Sequence, residues 1–165
     1  VSVAHPVCSR LGGHIESALK SAEIEHVRGG TYLVMEGPQF STLAESELYR
    51  QWGCDVIGMT NMPEAKLARE AEICYASIAM VTDFDCWHPD HEDVSVEQVI
   101  KVLVGNAEKA KTLISEVAPL ITADETGPTC NCKQALEFAL ITSPDARDPK
   151  ILETLDAIAG RVLKK

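Results

Sequence analysis

Apolar positions recur with helical spacing from Pro6 to Ala22, where Leu11, Ile15, Ala18 and Leu19 share one side. The pattern then changes period. His26 to Glu36 reads as a strand, with Gly29–Gly30 turning the chain before Thr31–Tyr32–Leu33–Val34–Met35 and Gly37–Pro38 stopping it. Thr42 and Glu45 fit a capping box, so a helix is predicted to Trp52, closed by Gly53. Cys54 to Met59 is the next strand, and Asn61 with Glu64 opens a further helix to about Glu72. The apolar run Ile73 to Val81 reads as a third strand. Ser95 and Gln98 cap a long helix to about Val117, whose positions Val96, Val99, Leu103, Ala107, Ala110, Ile114 and Val117 define a buried face. Residues 119–129 read as a loop and Lys133 to Leu140 as a short helix. Asp148–Pro149 supplies an N-cap and an N1 proline for a last helix through Ile158. Strands alternating with helices argue for an α/β layer fold.

In such sheets ligands bind beyond the carboxyl ends of the strands. Three strand ends carry unusual residues: Glu36 to Ser41, Met59–Thr60–Asn61, and Thr82–Asp83–Phe84–Asp85. The first two lead into capped helix N-termini, whose free N–H groups suit an anion such as phosphate. In extended chain Asp83 and Asp85 point to the same face and can converge on one ligand. Two carboxylates held close seldom both stay ionised, so one of such a pair can carry and donate a proton. The local pattern alone favours a polar loop start with two solvated acids; the topology raises the pair above that reading.

Composition narrows the class. One domain's worth of chain, 165 residues with a net charge of −10, argues against a nucleic-acid or anionic-membrane surface. No apolar run reaches membrane-spanning length and no signal-like segment opens the chain, which makes a reducing cytoplasm the default. The six cysteines are then expected as thiols, with Cys54 and Cys74 in apolar surroundings. Cys130 and Cys132 form a C-x-C pair whose bridge would close a tight ring, and two exposed thiols near a helix start are the favoured reading. A zinc site from Cys86, His88, His91, Cys130 and Cys132 is disfavoured, because C-x-C departs from the usual C-x-x-C spacing.

Three longer blocks go further. The stretches MEGPQFSTLAES, WGCDVIGMTNMPEAKLAREAEICYASIAMVTDFDCW and VSVEQVIKVL closely resemble the methylthioadenosine phosphorylases of the trimeric purine nucleoside phosphorylase superfamily. The likeness runs from about Val1 to Val117, and the E-G-P-x-F, G-M-T-x-x-P-E and T-D-x-D-C-W blocks together make it specific. It implies a mixed central sheet flanked by helices, and phosphorolysis of 5′-methylthioadenosine to adenine and 5-methylthioribose 1-phosphate. Inorganic phosphate would be co-substrate, with no metal or organic cofactor.

Carried over by position, Asp83 and Asp85 match the purine-reading acids, one donating towards N7 and one accepting from the 6-amino group. Phe40 matches the aromatic that packs on the purine; it also reads as a core residue capping the strand end, and both can hold. Met59 matches the residue against the ribose and Thr60 a phosphate-contacting hydroxyl. Val96, Val99 and Ile100 match the apolar wall around the 5′-alkylthio group, although Val99 lies in the helix's core stripe anyway. Asp83 and Ser41 suit a 6-amino rather than a 6-oxo purine, and Val96 favours methylthio over a 5′-hydroxyl.

The resemblance also has a gap. The family's Gly-rich phosphate loop, Arg–His phosphate pair and Thr–Ala segment do not occur here. With no initiator Met at Val1, residues 1–165 are expected to be the C-terminal part of one α/β domain. An N-terminal fragment of the same protein would complete its sheet and site, within a homotrimer. The alternatives are a broader purine nucleoside phosphorylase and a non-catalytic fragment.

Overall fold

A computed structural model describes residues 1–88, 96–123 and 130–163, with the side chains of Val96, Gln98 and Val99 outside that description. Its helices are α1 (Ser9–Ser21), α2 (Leu43–Gln51), α3 (Asn61–Glu70), α4 (Val96–Thr122) and α5 (Pro149–Leu163). The strands are β1 (Tyr32–Val34) and β2 (Val56–Gly58), and 3₁₀ turns cover Cys132–Gln134 and Pro144–Ala146. The chain divides into two compact units, one of residues 1–13, 62–77 and 124–165, the other of 14–61 and 78–123.

In the second unit, β1 and β2 pair in parallel with Tyr32 opposite Val56 and Val34 opposite Gly58. Parallel neighbours need a crossover, and α2 provides it. Asp55 fixes the register at the entry: its carboxylate accepts from Thr31 N–H at 2.6 Å, and its own N–H donates to Thr31 C=O at 2.9 Å. The expected capping box is present at α2. Glu45 N–H donates to Thr42 Oγ1 at 3.3 Å and Thr42 N–H donates to Glu45 Oε2 at 2.7 Å. Those bonds from Thr42 hold the Glu45 carboxyl below the usual carboxylate range.

Two expectations are corrected here. Residues 73–81 form no ladder among the described residues. Their one described backbone bond to a distant segment runs from Cys8 N–H to Tyr75 C=O at 2.7 Å, and Ile78, Met80 and Val81 stay exposed. The buried stripe of α4 is also shifted. Leu113 is buried and Asn106, Ala110 and Val117 are half-buried, whereas Leu103, Ala107 and Ile114 are exposed. Apolar residues occupy more than one face of this helix, so periodicity alone could not choose between them. Ser95, its expected cap, lies outside the described residues. The helix also runs past Pro119 to Thr122, because a proline near the end forfeits a single backbone bond and Ala123 N–H still reaches Pro119 C=O at 2.9 Å.

The first unit packs α5 onto the turns that follow Cys132. Leu136, Ala159 and Val162 form its core, with Ala139 and Leu163 against them. Asp148 caps α5 as expected, accepting from Lys150 N–H at 2.7 Å, and the helix continues to Leu163. At the other end Arg147 Nη1 donates to Leu163 C=O at 3.2 Å. Arg161 grips Glu72 through two N–H···O bonds of 2.8 and 2.6 Å, and Glu72 Oε1 also accepts from Leu136 N–H at 3.0 Å. Lys133 to Ala139 forms a 3₁₀ start and successive turns rather than the regular helix expected there.

Candidate active site

The three strand-end segments singled out by topology all belong to the second unit. After β1 the chain turns at Gly37, whose φ of +73° is one that glycine adopts without strain. A second reason requires glycine there. A Cβ on Gly37 would lie 2.8 Å from Met59 Sδ, so the loop closes directly over Met59 at the end of β2. Met59 is half-buried under that loop, while Thr60 beside it is exposed at the start of α3.

Helix α2 organises the acidic segment. Ser46, 1% exposed in the middle of α2, donates its hydroxyl to Asp85 Oδ2 at 2.6 Å. Asp85 Oδ1 accepts from Cys86 N–H at 2.9 Å, so both carboxylate oxygens are held. One turn along the same helix, the Arg50 guanidinium lies 3.7 Å from the centre of the Trp87 ring. Ser46 and Arg50 are four residues apart on one helix face, and Asp85 and Trp87 are two apart on the segment, so two points of attachment fix its path. Cys86 Sγ reaches Ser41 C=O at 3.7 Å, and Asn106 of α4 donates to Val81 C=O at 3.1 Å.

Asp83 is treated differently. It is exposed, and among the described residues its carboxylate takes a hydrogen bond only from the adjacent Thr82 hydroxyl, at 2.7 Å. The two acids are therefore not equivalent. Asp85 is built into the protein and Asp83 remains available to a ligand.

The apolar candidates are open. Phe40 is 83% exposed, which removes the reading of it as a core residue, and Ile100 on α4 is 54% exposed. The side chains of Val96 and Val99 lie outside the described residues, as does His91. Ser46, Arg50 and Trp87 are the residues that sequence reasoning missed. A serine between two glutamates on a helix carries no signal until the segment opposite it is placed.

The sequence model of the Phosphorylase superfamily matches residues 1–119. The chain belongs to this family. Over 99% of its length it is 60% identical to S-methyl-5′-thioadenosine phosphorylase of Rhodospirillum rubrum and 58% identical to that of Bradyrhizobium diazoefficiens. It covers 55% and 56% of those proteins, so it spans about half the length of the curated relatives it matches. Among solved structures, a methylthioadenosine phosphorylase from an antarctic soil metagenomic library superposes over 96% of this chain, and 55% of its own, with a TM-score of 0.87 at 44% identity. The Schistosoma mansoni methylthioadenosine phosphorylase, solved with adenine, covers 84% of this chain and 54% of its own with a TM-score of 0.72 at 31% identity. The superfamily fold and the α/β class expected from the strand–helix alternation are thereby shown.

Proposed function

We propose that the protein to which this chain belongs cleaves 5′-methylthioadenosine with inorganic phosphate, releasing adenine and 5-methylthioribose 1-phosphate. The observation that carries this reading is the unequal acid pair at the end of the 73–85 segment. Asp85 is locked by Ser46 and the Cys86 N–H, and Asp83 is exposed beside it. In the reaction a phosphate oxygen bonds to C1′ of the ribose as the C1′–N9 bond breaks, and the electron pair passes into the purine. A proton delivered to N7 makes adenine a better leaving group, help typically worth about 10²–10⁴ in rate. Asp83, free to reach N7, suits the donor role. Asp85, fixed by two hydrogen-bond donors, suits the acceptor that reads the 6-amino group. Phe40 offers an open aromatic face for the purine plane, Met59 an apolar contact for the ribose, and Thr60 a hydroxyl at a helix N-terminus for phosphate. By their match to the family motif, Val96, Val99 and Ile100 are the residues proposed for the 5′-alkylthio wall.

The remaining phosphate contacts come, in this reading, from a further part of the same protein, within a homotrimer in the cytoplasm. That the curated relatives are nearly twice as long supports the further part of the protein. No metal or organic cofactor takes part in the chemistry. Incubating the full-length protein with methylthioadenosine and phosphate, and following adenine release by chromatography, tests the reading directly. Phosphate-dependent adenine release is expected, with inosine a poor substrate. Equal rates on inosine would overturn the 6-amino assignment, and no turnover on any purine nucleoside would overturn the reaction.

A further inference from the structure

The first unit holds a second constellation. The sulfurs of Cys8, Cys74, Cys130 and Cys132 all lie within 4.8 Å of one another. Cys8 and Cys132 are buried, at 4% and 5% exposure, which corrects the expectation of an exposed C-x-C pair. The four come from three separate stretches: the residue before α1, the segment after α3, and the turn ahead of α5. Cys74 and Cys130 approach to 3.6 Å, and all four are free thiols.

Three features beyond proximity point to an ion. A tetrahedral zinc with Zn–S bonds of about 2.3 Å separates its sulfurs by about 3.8 Å, which lies between the 3.6 Å approach and the 4.8 Å limit of this group. Four thiolates around a divalent ion leave a net charge of −2, and two guanidiniums stand where that charge falls. Arg10 Nη2 donates to Cys74 Sγ and Arg69 Nη1 to Cys132 Sγ, each at 3.6 Å, as outer partners orient metal ligands. The backbone is also held in place. Cys8 N–H donates to Tyr75 C=O at 2.7 Å, and Arg69 reaches the carbonyls of Ser2 and His5 at 3.2 Å each, fixing the stretch that leads to Cys8.

We propose that Cys8, Cys74, Cys130 and Cys132 form a tetrathiolate site for a structural zinc ion. Four protein ligands close the coordination sphere, so the ion ties three chain segments together and offers no open position for chemistry. The C-x-C spacing that argued against zinc is no obstacle, because the other two ligands arrive from elsewhere in the chain rather than from Cys86, His88 or His91. The thiols lose their protons on binding, so the site fills more readily as pH rises.

The test is metal content. Full-length protein is expressed with zinc, purified in a reducing buffer without chelator, and measured by plasma mass spectrometry and native mass spectrometry. About one zinc ion per chain is expected. After the metal is stripped, titration with Co²⁺ should give the intense visible bands of tetrahedral thiolate cobalt, saturating at one equivalent. Cys132→Ser should lose that spectrum, and Cys54→Ser, outside the group, should keep it. Zinc-free protein whose four thiols are blocked as disulfides would overturn the proposal. So would reduced wild-type protein that leaves Co²⁺ in its aqueous form, a result that does not depend on any variant folding.

Discussion

The four-sulfur cluster and the aspartate segment put reactive side chains to opposite uses. Around Cys8 and Cys132 sulfur faces sulfur, Arg10 donates to Cys74 and Arg69 to Cys132, and the thiols of Cys8 and Cys132 are barely exposed. In the other unit, Asp83 and Thr60 are exposed and Phe40 is 83% exposed. A large exposed aromatic leaves apolar area in water at roughly 25 cal/mol per Å². Exposure separates groups that hold the chain together from groups kept free for a ligand. Within the acidic segment the same division recurs, with Asp85 as the anchor and Asp83 as the exposed acid proposed to read the purine.

The largest expected effect breaks the reader and spares the anchor. Asp83→Asn in the full-length protein should lower turnover of methylthioadenosine by about 10²–10⁴, the scale of a lost general acid. Zinc content should stay as in the wild type. Steady-state rates on methylthioadenosine, beside metal analysis, check this; unchanged turnover would remove Asp83 from the purine. Stripping the ion should do the reverse. Melting temperature should fall as the bound-state stabilisation is lost, and selectivity between methylthioadenosine and inosine should hold.

Next in size is the anchor itself. Ser46→Ala removes a buried hydroxyl that donates to Asp85 at 2.6 Å. A hydrogen bond to a charged partner contributes about 1.5–3 kcal/mol, so turnover should fall roughly 10- to 100-fold if that restraint is what keeps the carboxylate in place. Ser46→Thr should recover most of it. A stability loss without any change in turnover would reduce Ser46 to a packing residue.

Local signals were readable wherever the residues supplying them are neighbours in the chain. Thr42 with Glu45 and Asp148 with Pro149 marked helix starts that the structure contains, because a cap is settled within four residues. The Asp83–Asp85 pair, proposed to read the purine, stood out for the same reason, from its spacing and from a family motif. Long-range pairing was not. Nothing near Ser46 announces Asp85, and nothing near Cys8 announces Cys130, since those meetings depend on how helices and turns stack. The α4 stripe failed differently: Ile114 and Leu113 are equally apolar, and only packing decided that Leu113 is buried and Ile114 exposed.

The smallest expected effect sharpens the comparison most, because two changes of equal energy should have unequal consequences. Thr42→Ala and Asp148→Ala each remove one N-cap, worth about 1 kcal/mol, from α2 and α5 respectively. Chemical denaturation should therefore show similar losses for both. Their catalytic effects should part. Helix α2 carries Ser46 and Arg50, the two contacts that fix Asp85 and Trp87, so a frayed α2 loosens the acidic segment and should lower turnover a few-fold. Helix α5 packs against Leu136 and holds Glu72 through Arg161, contacts that involve none of the proposed substrate residues. Asp148→Ala should thus cost stability and leave the rate on methylthioadenosine within error of the wild type. If both variants lose activity equally, the division between anchoring and reading regions is wrong, and the rate follows global stability instead.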